Sequence, residues 1–266
     1  RDRHKAIRRQ RQMCIRDRSM KKIALLFSLF LSLGVISACS STPENDDNKS
    51  AEELYAKGYK LLNKDMYQKS AETFEKVELE HPYSKWATKA KLMGAYAYYK
   101  DRKYDDAIIS LDRFIKFHPG NKDIAYAYYL KALCYYDQIV TVEKDQGNTE
   151  EAYKALQQVI FRFPDTDYAQ DARLKLDLTK DHLAGKEMEI GRYYLSQNNY
   201  LSALNRFSTV VNDYQTTSHI EEALYRQVEL YTILGMPDEA RNAEKVLGHN
   251  YPQSKWYHKA LSLIHI

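Results

Sequence analysis

Catalysis needs acids, bases and nucleophiles that converge, and this 266-residue chain offers few that could. Its three cysteines, Cys14, Cys39 and Cys134, are odd in number and scattered, which excludes a disulfide scaffold and a Cys-based zinc site. Cys134 lies beside Tyr135 in a helical pattern and reads as a buried thiol rather than a nucleophile. His81 and His118 each stand directly before a proline, 37 residues apart, and read as capping or solvated side chains rather than metal ligands. The acidic pairs Asp46-Asp47, Asp105-Asp106 and Glu221-Glu222 read as solvated or helix-start charges. There is no glycine-rich phosphate loop, no HExxH and no GxSxG. The expectation is a binding protein, not an enzyme, with no catalytic residue, no metal and no cofactor.

Cys39 is the exception, because of what precedes it. From Met20 the chain reads two lysines, an apolar run from Ile23 to Ile36, then Ser37-Ala38-Cys39. These are the three regions of a secretory signal, and the run is too short for a bilayer core that needs about 20 residues. The Ile36–Cys39 segment resembles the lipobox of bacterial lipoproteins, which implies a lipid on Cys39 and Cys39 as the first mature residue. Ser40 resembles the outer-membrane default, where Asp would imply inner-membrane retention. Residues 40–50 (SSTPENDDNKS) are polar and aperiodic and read as a tether. The expected organisation is therefore a non-native leader at 1–19, a lipoprotein signal at 20–38, a tether at 39–50, a folded domain at 51–260 and a non-native tail at 261–266.

Composition and charge agree with a soluble folded body. The chain is 44% hydrophobic and 29% charged, which excludes a disordered chain or a multi-span membrane protein. Nine glycines and six prolines are too few for an all-β chain. The net charge of +4 is concentrated at the N-terminus: residues 1–22 hold +8, so the remainder is at −4 and no nucleic-acid partner is expected.

The elements that must position any binding residue are repeats. Tyr67, Ser70, Phe74 and Pro82 recur 37 residues later as Tyr104, Ala107, Leu111 and Pro119. Ala152, Leu156 and Pro164, then Tyr200, Ala203 and Phe207, then Ala240 and Pro252 continue the series. Tyr98, Tyr135, Tyr194 and Tyr231 recur earlier in each unit and read as packing, with Leu61 in the first unit. Apolar spacings of three and four indicate amphipathic helices. The pattern resembles the tetratricopeptide repeat: an all-α, right-handed solenoid of about five helix pairs. Extra residues around Val140–Thr149 predict a loop marked by Gly147 and Asn148. The breaker-poor stretch Tyr168–Ser196 predicts a long first helix, with a bend at Gly185 as the alternative.

Such an array offers a groove lined by the first helix of each pair. Counting one and four residues past the small residues Gly58, Ala95 and Ala132 places Tyr59 and Leu62, Tyr96 and Tyr99, and Leu133 and Tyr136 on it, with Tyr55 one turn upstream. Tyrosine gives contact area and a hydroxyl for little rotamer entropy. The expected peptide or partner groove is Tyr55, Tyr59, Tyr96, Tyr99 and Tyr136; inter-repeat packing is the competing role for these rings.

Lipobox, tether and repeats together, with the strings AYAYYKDRKYDDAIISLDRFIKFHP, FRFPDTDYAQDAR and LYTILGMPDEARNAEKV, resemble the tetratricopeptide-repeat lipoprotein family of the outer-membrane β-barrel assembly machinery. The resemblance covers roughly residues 20–260. It implies a lipid-anchored scaffold on the periplasmic face of the outer membrane. Its implied partners are the periplasmic domains of the barrel-forming subunit, accessory lipoproteins and unfolded outer-membrane proteins. A periplasmic repeat adaptor for envelope or division complexes is the alternative.

Overall fold

A computed structural model describes residues 49–264; the leader, the signal and Cys39 lie outside them. Ser50 opens the first helix with a capping box: its Oγ accepts from the Glu53 N–H, and the Glu53 carboxylate accepts from the Ser50 N–H. Five helix pairs follow, each an A helix and a B helix. They are α1 (Ala51–Leu62) with α2 (Tyr67–Glu80), α3 (Lys85–Lys100) with α4 (Tyr104–Phe117), and α5 (Ile124–Tyr136) with α6 (Gly147–Arg162). Then come α7 (Asp167–Ser196) with α8 (Tyr200–Asp213), α9 (Ile220–Ile233) with α10 (Pro237–Asn250), and a last helix α11 (Lys255–Ile264). Each helix packs on the next, and A helices also touch A helices: α1 on α3, α3 on α5, α5 on α7 and α9 on α11. This is the expected repeat solenoid.

Two turn types recur because the same local chemistry recurs. Every B helix ends on a residue with φ between −127° and −135°: His81, His118, Phe163, Tyr214 and Tyr251. Four of the five precede proline, which disfavours the α region in its neighbour. Tyr214 precedes Gln215 yet keeps the geometry, so packing enforces there what proline enforces elsewhere. In four pairs the turn from A to B passes through one left-handed residue: Asp65, Arg102, Asn198 or Gly235. Only one of these is glycine.

The small B-helix anchors Ser70, Ala107, Ala152, Ala203 and Ala240 are all buried. Ser70 replaces alanine at no loss, because its hydroxyl donates to the Gly58 carbonyl at 2.8 Å. Sizes are matched across each pair. A Cβ on Gly58 would sit 2.8 Å from the Phe74 ring, and one on Gly191 would sit 2.6 Å from the Phe207 ring. Where the A helix carries Ala95 or Ala132, the B helix carries the smaller Leu111 or Leu156 in the same buried cluster. Tyr98, Tyr194 and Tyr231 pack against these clusters as expected.

The long helix is present: α7 runs for 30 residues. It passes unbroken through Gly185, which is no bend but a close-packing position, 3.2 Å in Cβ terms from the His219 Nε2 and 3.3 Å from Val142. Gly147 and Asn148 likewise do not mark the loop; they form the first turn of α6. The loop is shorter, and the Gln146 side chain folds it by donating to the Thr141 and Lys144 carbonyls and accepting from the Thr149 hydroxyl.

Candidate peptide-binding face

The A-helix tyrosines divide into those that bridge repeats and those that remain open. Tyr99 on α3 donates at 2.7 Å to the carboxylate of Asp137, the C-cap residue of α5. Tyr129 on α5 donates to Asp171 on α7. Asp171 also accepts from Lys175 at 2.7 Å, and the Lys175 ammonium lies 5.6 Å from the Tyr136 ring. Burial opposes ionisation of Asp171, but the bonds from Lys175 and Tyr129 outweigh it and hold its carboxyl below the ordinary aspartate value. Burial, followed by the neighbouring carboxylates, pushes the Tyr99 and Tyr129 phenols well above their ordinary value. Both are therefore neutral donors at physiological pH.

The five expected groove tyrosines are not equivalent. Tyr59 is open, at 48% exposure. Tyr96 lies beside Tyr99, ring centroids 6.3 Å apart, and Tyr99 continues to Tyr104 at 6.0 Å. Tyr136 is partly covered by Lys175. Tyr55 is placed differently: it packs on Phe74 at 5.4 Å and on Trp86 at 4.8 Å, as a link between repeats. Leu62 is buried, whereas Leu133 is half-buried against the second repeat's core.

The Tyr55 contact belongs to a series that the groove arithmetic missed. Tyr55 and Tyr129 lie three residues before the small residues Gly58 and Ala132 of their A helices, and Tyr225 lies three before Val228, which holds the equivalent place in α9. Each meets an aromatic in the first turn of the next A helix: Trp86, Tyr168 at 5.2 Å and Trp256 at 5.2 Å. The signal was in the sequence as Pro-x-Ser/Thr-x-aromatic, at Pro82/Ser84/Trp86, Pro164/Thr166/Tyr168 and Pro252/Ser254/Trp256. In all three the hydroxyl residue caps the helix that carries the ring. Tyr126, 5.6 Å from Tyr168, adds a further ring to the face.

Cys134 is buried, and burial, with the Asp137 charge adding, pushes its thiol up to about 12. It is not a thiolate at neutral pH. The His81 Nε2 donates to the Lys49 carbonyl at 3.0 Å, and the His118 ring lies tilted against Phe114, centroids 5.3 Å apart. A second open surface lies between α6 and the start of α7, where Phe161 is 87% exposed beside Arg162, Arg173 and Leu176.

The model of the outer membrane lipoprotein family YfiO matches residues 47–247. A protein of Rickettsia prowazekii named outer membrane protein assembly factor BamD is 47% identical over 245 residues, 91% of this chain and 98% of its own length. The protein of the same name from Caulobacter vibrioides is 46% identical over 218 residues, 82% of this chain and 72% of its own. Among solved structures, a thermophilic TPR protein of Thermus thermophilus aligns with a TM-score of 0.38 at 17% identity, over 82% of this chain and all of its own. With a family model spanning most of its length and relatives near half identity, the chain belongs to the YfiO family of outer membrane lipoproteins.

Proposed function

We propose that this protein is an outer membrane protein assembly factor that acts as a non-catalytic scaffold, anchored by a lipid on Cys39 to the periplasmic face of the outer membrane. The observation that carries the reading is the 47% identity, along nearly its whole length, to a protein named for that role. The A-helix face around the open Tyr59, with the half-buried Tyr96 and Tyr99 beside it, receives an extended segment of an unfolded outer-membrane protein. A barrel strand alternates apolar and polar residues, and its aromatics would pack on these rings. The remaining surfaces serve the periplasmic domains of a barrel-forming subunit and accessory lipoproteins.

Purification of the tagged chain from detergent-solubilised outer membranes is the test. Co-purification of a large barrel protein supports the scaffold; recovery of division or cell-wall enzymes without it supports the envelope-adaptor alternative. Cys39→Ala should abolish metabolic palmitate labelling, and persistence of the label would remove the anchor.

A further inference from the structure

The inference concerns the turn between the first two repeats and rests on the lipid anchor proposed for Cys39. Tyr83 is fully exposed, at 101%. Trp86 follows three residues later, capped by Ser84, with the Lys85 and Lys89 ammonium groups 5.5 and 4.9 Å from its ring. Tyr and Trp flanked by Lys are the side chains that suit a lipid–water interface: the rings sit at headgroup depth while the ammonium groups stay in water.

Position turns this composition into a surface. The chain joins the folded domain at Lys49, whose carbonyl is held at 3.0 Å by His81, one residue before Pro82 and two before Tyr83. The tether therefore ends at this very turn. Lys49 stands ten positions after Cys39, a reach of at most about 35 Å. The same motif at the far end of the array, Pro252 to Trp256, has Gln253 where the first has Tyr83.

We infer that the Tyr83–Trp86 turn docks on the phospholipid surface that holds the Cys39 lipid, so that the array is fixed in orientation as well as tethered. Among the described residues no helix is long and apolar enough to cross a membrane, so the contact is interfacial. Two aromatics alone bind a bilayer weakly, and the lipid supplies the second signal.

The protein has two tryptophans, Trp86 and Trp256, in the first and last of the three copies of the motif. The full lipidated chain, as Trp256→Phe or Trp86→Phe, is reconstituted into phosphatidylethanolamine–phosphatidylglycerol vesicles carrying bromine on the acyl chain near the headgroup. Flotation reports the anchor; quenching reports the contact. The expected result is flotation of both variants, with Trp86 losing most of its emission and shifting to the blue while Trp256 keeps its own. Adding Tyr83→Ser should reduce the quenching of Trp86 without changing flotation. Flotation with Trp86 and Trp256 quenched alike, or neither quenched, overturns the docking and leaves the anchor standing. Failure to float overturns the anchor and the docking with it.

Discussion

Between α3, α5 and α7, neighbouring A helices are joined by Tyr99 on Asp137 and Tyr129 on Asp171. Between α7 and α9 the joins are Arg192 on Glu222 at 3.5 Å, continued through Arg226 to Glu229 at 2.7 Å, and Asp181, which accepts from the Ser218 N–H and hydroxyl ahead of α9. The repeat is the same on both sides of α7, with the same C-cap geometry and the same glycine-on-phenylalanine contact in the first and fourth pairs. What changes is how the A face satisfies its polar atoms. A phenol spends its hydroxyl on a carboxylate and still presents a ring, whereas an ion pair presents only charge. The proposed apolar ligand is therefore expected on the first three pairs.

The largest expected effect breaks the part that the two halves share. Gly58→Ala and Gly191→Ala each drive a Cβ into a phenylalanine ring and should destabilise the fold by about 1–3 kcal/mol. Gly58→Ala with Phe74→Leu recreates the Ala95/Leu111 pairing, and thermal melts should show it less destabilised than the two single changes summed. Additive losses would mean that the pairing is not a matter of size.

Next in size are the joins themselves. Tyr99→Phe leaves Asp137 without its donor and should cost about 1 kcal/mol in a urea titration. Arg192→Ala removes a partly exposed ion pair and should cost less, about 0–1 kcal/mol. A larger loss at Arg192 would reverse the contrast.

The smallest effects come from solution conditions, read by Trp86 in the first half and Trp256 in the second. Phenols raised by burial cluster in α1–α6, where Tyr98, Tyr99, Tyr126 and Tyr129 are shifted furthest. Above the ordinary tyrosine value of 10.0 the unfolded chain releases protons that the folded chain keeps, so stability is full below that pH and falls as pH rises past it. Trp86 emission should therefore change at a lower alkaline pH than Trp256 emission. Added salt screens Arg–Glu pairs more than Tyr–Asp bonds, so it should lower the unfolding midpoint at Trp256 more than at Trp86. Coincident transitions in both experiments would show that the halves do not differ.

The repeat was legible because its anchors are few, similar in type and 37 residues apart in the first two and the last two pairs. The length of α7 was legible because nothing in Tyr168–Ser196 interrupts a helix. The left-handed turns were not, since Asp65, Arg102 and Asn198 carry no glycine signal and are held there by the helices on either side. Gly147 and Gly185 misled for the opposite reason: glycine suits close packing and helix starts as well as loops. On the face, the one-and-four spacing picks out Tyr59, Tyr96 and Tyr99 as candidates but cannot separate a free ring from one committed to the next repeat, as Tyr55 is to Trp86. That distinction depends on which residue the neighbouring helix brings opposite.

The most direct test of the account is the affinity of a peptide from the last strand of an outer-membrane barrel, alternating in aromatics, for three forms of the chain. Tyr99 holds Asp137, so the probes are Tyr59, which is open, and Tyr96, which is half-buried on the cores of the first two repeats. With melting curves confirming the fold, Tyr59→Ala with Tyr96→Ala should weaken binding roughly tenfold or more, and Arg192→Ala should leave it unchanged. Full affinity in the tyrosine variant, with loss in the arginine variant, would contradict the account and move the ligand to the charged half.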